Sequence, residues 1–519
     1  MPATVGARRP SWLVALVGLA FLALGAGALQ MASALPAASV RPVGGNLPIG
    51  PGATDLRNID ANNSPSLVRN PTRPSNLAVS NRVDTPSFSC ALHVSLDGGA
   101  TWERTAVPFP EGEELPPRCF APDLAFDANG RLYMSFVTLI GAGNTPNAGW
   151  LATSDDGGRT LSPPSRIEPL GPLAFQIRLT ADPGTPGRLY LSWVQAAEVA
   201  LLQFPTDENP ILFSRSDDAG VTWAAPVRVS PPERKRVVAP SVAVGRNGLL
   251  YLLYLDLGND ILDYRGAHQG RGGDPYPGPW SLVLGRSTDG GRTWQTTEVD
   301  NALVPIERLL VFLPPVPSLA VDQRTDRVYV TFHDGRLGDA DVWLWGSGDA
   351  GRTFSPARRV NDTRPRDGTS QYLPRASVAS NGRLDIVYYD RRADPDQNVF
   401  NDVSLQYSDD GGNSFSPRVR LNDTAFDSRI GFGSERGLPD LGSRLALLST
   451  DSRTMAVWTD TRAGTEASNK QDLARAVVAF SRGSPLRQPL RLGGVALCGV
   501  GALLVLGGLI PRRRHEASP

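Results

Sequence analysis

The sequence predicts an all-β fold, a β-propeller of four-stranded antiparallel blades flanked by an apolar helix at each end. Three observations carry the prediction. An eight-residue phrase recurs six times, strand-like runs surround each copy in a fixed order, and an uncharged apolar stretch lies near each terminus. Recurrence at a spacing of about 60 residues marks one supersecondary unit per copy, and internal repeats outrank other clues to architecture.

The phrase first reads Ser95-Leu96-Asp97-Gly98-Gly99-Ala100-Thr101-Trp102, and it returns from Ser154, Ser216, Ser287, Ser347 and Ser408. An Asp-Gly or Asp-Ala step followed by Gly supplies the positive φ of a tight hairpin turn, and the Asp and Ser or Thr side chains bond the turn backbone. The eighth residue, Trp102, Trp223, Trp294, Phe354 or Phe415, is aimed back into a core. Each copy therefore joins two antiparallel strands.

Ahead of each phrase stands a short first strand of small and apolar residues, expected at 66–68, 122–126, 177–181, 240–244, 317–321, 374–378 and 443–448. A turn such as Asp127-Ala128-Asn129-Gly130 follows. A second strand of alternating β-formers comes next, including LYMSFV from Leu132 and VYVTFH from Val328. A third strand runs into the phrase and a fourth leaves it. The fourth carries Pro163 with Arg166, Pro226 with Arg228, Pro356 with Arg358 and Pro417 with Arg420, residues tolerated or favoured at a sheet edge. The fourth strand is thus the rim and the first the hub, as in a propeller blade. Seven pairs of first and second strands against six phrases predict seven blades, with six as the alternative. The seventh unit has a third strand from Asp472 to Phe480 and lacks a fourth, which the linker before Asn63 can supply as a clasp.

The ends complete the organisation. Residues 1–34 read as a signal peptide or an N-terminal anchor, because Arg8 and Arg9 precede an apolar run that ends at Ala32-Ser33-Ala34. Residues 35–63 read as a linker that offers the closing strand, 64–482 as the propeller, and 483–491 as a stalk. Residues 492–510 read as a transmembrane helix and 511–519 as a basic cytoplasmic tail. The expected location is the cell membrane, crossed once, or twice if the first segment is retained, with the propeller outside the cytoplasm.

Lys+Arg and Asp+Glu balance at 52 each, so no basic field points to nucleic acid. Cys498 falls in the apolar C-terminal run. If Cys90 and Cys119 pair in the exported part, the closed loop stabilises the fold by about 3 to 4 kcal/mol. No cofactor and no metal is expected. His93, His268, His333 and His515 form no ligand pattern, and Asp394 to Asn398 has calcium-loop residue types without the spacing. The insertion from Asp256 to Trp280 reads either as a lid that overhangs one face or as an ordinary surface excursion.

The phrase Ser-x-Asp-x-Gly-x-Thr-Trp is similar to the Asp box, and six copies over about residues 64 to 482 make the chain resemble the sialidase and bacterial-neuraminidase-repeat superfamily. The resemblance implies a propeller whose boxes mark the face away from the active site. It also implies an exo-α-sialidase-like protein that acts on or binds surface glycans, sialylated or otherwise acidic. On the functional face, Asp-x-Arg ends the second strand in three successive blades, as Asp334 with Arg336, Asp390 with Arg392, and Asp460 with Arg462. Retaining sialidases grip a carboxylate with three arginines and use a tyrosine nucleophile paired with a glutamate, plus an aspartate acid/base. The implied catalytic set is Arg336, Arg392 and Arg462, with Asp334, Asp390 or Asp460 as acid/base and Tyr372 with Glu435 as the nucleophile pair. The Phe/Tyr-Arg-Ile-Pro signature of that superfamily is absent before the first box. Two further readings stand beside the hydrolase, a non-catalytic propeller that binds glycan or protein and an extracytoplasmic assembly scaffold. They part on whether the three arginines meet at one point or each pairs with the aspartate two residues before it.

Overall fold

The structure, a computed structural model, describes residues 11–34, 39–50, 58–198, 208–262, 275–306, 316–431, 441–481 and 486–509. The chain divides into two compact units, Pro42–Val478 and a second formed by Met1–Arg41 with Ala479–Pro519.

The larger unit is a seven-bladed propeller of four-stranded sheets. Blade one runs from the inner strand Asn62–Arg69 through Leu77–Val83 and Ser89–Ser95 to the rim at Glu103–Thr105. Blades two to six repeat this order from inner strands Cys119–Phe126, Ala174–Ala181, Val237–Val244, Ser318–Asp322 and Gln371–Val378. Blade six adds a short strand, Phe426–Asp427, on its third strand. Blade seven takes Ala446–Ser449, Arg453–Asp460 and Asp472–Ser481 from the end of the chain and its rim strand, Ser39–Ile49, from the beginning. The linker before Asn63 therefore closes the ring as the clasp that the missing fourth strand required.

Five inner strands begin three or four residues earlier than their apolar pattern suggests. Each contains a residue with positive φ at a register shift: Ser64, Ala121, Gln176, Ala239 and Leu373. A β-bulge of this kind re-aims the chain and breaks alternation, so the proline that follows in four of the five reads as a strand start when it lies inside one.

The octapeptide has one geometry in all six copies. In the third, Ser216 Oγ donates to Asp218 Oδ1 at 2.8 Å and accepts from Gly220 N at 2.8 Å. Asp218 then accepts from Thr222 N at 2.9 Å and Thr222 Oγ1 at 2.6 Å. Bonds from the Thr101 N–H and hydroxyl hold Asp97 down to about 2 in the first copy. The glycine at the fifth position of each copy turns at positive φ against the preceding blade. A Cβ at Gly158 would stand 2.8 Å from Val94, and one at Gly351 2.7 Å from Leu284. The eighth residue packs across the same seam, Trp294 meeting Phe213 edge-on at 5.0 Å. The turn is thus also the joint between neighbouring blades.

In the smaller unit two helices pair, α1 (Ser11–Ala34) and α2 (Arg487–Leu509). Both contain spans long and apolar enough to cross a membrane, Trp12–Ala34 and Pro489–Leu509. Their contact is made by glycine. A Cβ at Gly18 would lie 2.7 Å from Gly501 O, and one at Gly494 would lie 2.9 Å from Gly25 O. Small residues permit this close backbone approach between apolar helices. Cys498 sits in the same contact, its Sγ 3.9 Å from Leu22 O.

Candidate functional site

Turns from first to second and from third to fourth strands share one face, so loops from second to third strands and the links between blades form the other. Cys90 and Cys119 lie on that second face and form a disulfide with Cα atoms 5.8 Å apart. Seven second strands deliver their ends there, and the Asp-x-Arg motifs sit at three of them.

Each motif closes on itself. Arg336 Nε bonds both oxygens of Asp334, at 2.9 and 2.8 Å, and Arg462 Nε bonds both oxygens of Asp460, at 3.0 and 2.9 Å. Arg392 Nε bonds Asp390 Oδ2 at 2.7 Å, and a second aspartate, Asp362, accepts from its Nη1 at 2.6 Å. In all three the arginine N–H also bonds the aspartate, at 3.1, 3.1 and 2.9 Å. That is an Asx turn in which the third side chain returns to the first. The same clasp forms at Asp322 with Arg324, on the octapeptide face, and at Asp427 with Arg429 in a blade link. Its recurrence on both faces marks it as local turn chemistry. Arg336 is held further by Asp300 at 2.9 Å and lies over the rings of Trp343 and Trp345. Burial pushes the Asp334 carboxyl up in spite of these bonds.

Tyr372, on the inner strand of blade six, is fully buried. Its hydroxyl donates to Asn401 Oδ1 at 2.9 Å and accepts from Arg391 Nη2 at 3.2 Å, and the Arg391 guanidinium lies 4.9 Å above its ring. Burial raises its pKa, so the phenol stays protonated, and among the described residues it has no carboxylate partner. Glu435 lies outside the described residues, as does the part of the Asp256 to Trp280 insertion from 263 to 274. Asp394 gives one carboxylate oxygen to the N–H groups of Val399 and Phe400, at 2.9 Å each, and so caps its own loop.

A pocket of about 570 Å³ lies over blades four to six. The end of the insertion supplies Tyr276, the link after blade four Pro305 and Ile306, and the blade-five loop Asp339. The link to blade six supplies Ser370, and the blade-six loop Asn398. Gly335 N donates to Val304 O at 2.9 Å and Gly368 N to Asp339 Oδ2 at 3.0 Å, which fixes two walls together. Asn398 bonds both the Ser370 N–H and its hydroxyl at 3.0 Å. One half-buried aromatic ring, apolar Pro and Ile, and a few fixed polar groups make a seat for a small polar molecule with apolar faces.

The pocket residues come from five separate loop segments with no common motif, so sequence patterning does not find them. A second cluster does leave a signal. Arg178 and Arg375 stand in first strands otherwise small and apolar, Arg444 stands two residues before one, and all three line the hub together with Asp123.

No protein-family model matches the chain. Among curated proteins, the xyloglucanase Xgh74A of Acetivibrio thermocellus is 25% identical over 201 residues, 37% of this chain and 22% of that protein. A second Xgh74A sequence from that species is 27% identical over 177 residues, 33% of this chain and 20% of the relative. The chain thus spans about a fifth of the length of the curated relatives it matches. Solved structures with a similar chain path include a Dyadobacter fermentans protein of unknown function, with TM-score 0.44 and 16% identity, over 85% of this chain and 99% of that one. They also include a Penicillium chrysogenum α-L-arabinanase complexed with arabinobiose, with TM-score 0.43 and 17% identity, over 72% and 96%. A Hadza microbial sialidase gives TM-score 0.40 and 13% identity, over 78% and 74%.

Proposed function

We propose that this chain is a membrane-held propeller that binds glycans on the face opposite its octapeptides, with a sugar ring seated in the pocket over blades four to six. The observation that carries the reading is the pocket itself. Its volume of about 570 Å³ lies in the range of small-molecule sites, and Tyr276 faces it beside Asp339, Ser370 and Asn398. An aromatic ring covers the apolar face of a sugar while carboxylate, hydroxyl and amide groups bond its hydroxyls. With Asp339 in the lining, the seat suits an uncharged residue of the glycan. The xyloglucanase likeness supports a saccharide ligand. Both terminal helices stay in the membrane in this reading, paired through Gly18, Gly25, Gly494 and Gly501.

The competing proposal is sialidase-type hydrolysis through Tyr372 and Glu435, with carboxylate grip by Arg336, Arg392 and Arg462. The contact of Arg391 with Tyr372 favours it; the self-paired arginines favour binding without cleavage. The test is capture by the full chain in detergent on an array of neutral and sialylated glycans, beside its Tyr276→Ala variant. Capture weakened about tenfold or more by the substitution supports the seat. Capture equal in the two proteins removes it.

A further inference from the structure

The hub of the propeller carries a charge imbalance that its own residues do not settle. Inner strands of successive blades present one equivalent position each. Ser66, Asp123, Arg178, Ser241 and Arg375 directly follow the bulge in their strands, and the first three pair across to Ser80, Ser135 and Ser192. Arg444 follows the positive-φ Gly442 by two residues, as Arg178 follows Gln176 and Arg375 follows Leu373. The seven-fold arrangement therefore gathers three guanidinium groups and one carboxylate around a cavity of about 120 Å³.

Asp123 cannot neutralise them. Its Oδ2 accepts the Leu179 N–H of the next blade at 3.1 Å, and its Oδ1 lies 3.6 Å from Arg444 Nη2. Arg444 is otherwise spent on backbone, donating from Nη2 to Pro122 O at 2.8 Å and from Nε to Pro65 O at 3.0 Å. Arg178 and Arg375 have no side-chain hydrogen bond and no ion pair among the described residues, although Arg178 is only 9% exposed. Burial pulls Arg375 below its ordinary pKa, with the Asp123 charge only partly opposing it. Cations outnumbering the single carboxylate in a confined space are costly unless a further counter-charge joins them.

We infer that the hub is a binding site for a small free oxyanion, of the phosphate or sulfate class, held between the guanidinium groups of Arg178 and Arg375. The fork of an arginine matches two oxygens of such an ion, and a pair of forks matches a tetrahedral one. Size separates a free ion from the acidic group of a bound sugar. The cavity has the volume of about four water molecules, enough for an oxyanion and short of the several hundred Å³ that a ligand ring occupies. The site is separate from the glycan seat, since none of its residues lines that pocket. The anion bridges blades three and six through Arg178 and Arg375.

The test is calorimetric titration of the full chain in detergent with inorganic phosphate at constant ionic strength, with thermal unfolding followed in parallel. One ion bound per chain and a saturable rise in Tm are expected. Phosphate also strengthens burial in any protein, so the comparison with Arg178→Gln/Arg375→Gln decides. That variant should keep only the unsaturable salt response and lose the heat of binding. Asp123→Asn, which keeps an acceptor for Leu179 N and removes the repelling charge, should bind phosphate at least severalfold more tightly. Identical titrations for wild type and the double variant overturn the inference, as does binding of glucuronate in place of phosphate. If the double variant does not fold, Arg375→Lys replaces it, and unchanged phosphate affinity in that protein overturns the inference equally.

Discussion

Gly220 turns at φ +85° where a Cβ would collide with Leu151 of the preceding blade, while Gly98 turns at φ +76° into open space. The same chemical change thus has two meanings. Gly98→Ala should cost about 1 kcal/mol from the left-handed backbone alone, and Ala219 and Ala350 already fill that place in two copies. Gly220→Ala adds overpacking of about 1 to 3 kcal/mol, read as a larger fall in the denaturation midpoint. Three other side chains contribute to the acid response near pH 5. Burial, with Arg104 nearby, lowers His93 to about 4, and burial lowers His333 to about 3. Both stay neutral in the fold below pH 6.5 while the unfolded chain takes up their protons, so each stabilises at neutral pH and ceases to as the pH falls. Burial raises Asp472 to about 6, which works in the opposite sense between pH 4 and 6. Two protons against one give these three groups a contribution that falls by about 1.4 kcal/mol for each unit the pH drops near pH 5, measurable by denaturant titrations of the wild type beside histidine variants. A flat profile there would contradict the burial of the two histidines. The motif Asp-x-Arg was legible as a repeat, and its role was not, because a string cannot show whether an arginine reaches forward to a ligand or back to its own turn.

At the level of elements, second and third strands were legible from alternation, and the octapeptide turns from their Gly and Asp. Inner strands were legible only in their second halves, because bulges at Ser64, Ala121, Gln176, Ala239 and Leu373 interrupt the period that sequence reading relies on. That interruption also hid the meaning of Arg178 and Arg375, which stand just beyond it. The helices pose a different question. An apolar run near the start reads equally as a cleaved leader or as a lasting span, but a leader has no reason to match glycines with the far end of the chain. Gly18 meets Gly501 and Gly25 meets Gly494, with the same interval of seven residues on both helices. Retention of α1 predicts that the mature protein has its full mass and that an N-terminal epitope stays on the cytoplasmic side. A mature chain beginning after Ala34 would contradict it. Gly25→Leu should separate the helices, read as lost cross-linking between cysteines placed in α1 and α2.

At the scale of the whole molecule, closure depends on residues at opposite ends of the chain. Ser39–Ile49 is the rim of blade seven, and Asn46 Nδ2 also reaches Leu421 O of blade six at 2.7 Å. Deleting 39–49 should open the ring at blade seven and expose its edge to protease, with cleavage mapped first to residues 446–481. A propeller whose cleavage pattern is unchanged would contradict the clasp. The ring and its polarity were legible because a repeated unit leaves a period in the sequence. The pocket over blades four to six was not, because a ring brings together loops from blades four, five and six that share no motif. The proposed function has this face bind saccharide without breaking it. Incubation of the full chain with fluorogenic sialosides and with the glycans it captures, followed by mass analysis of the products, separates binding from cleavage. Binding alone leaves glycans of unchanged length and no released fluorophore, with capture lost in Tyr276→Ala. Release that persists in Tyr276→Ala and disappears in Tyr372→Phe would contradict it.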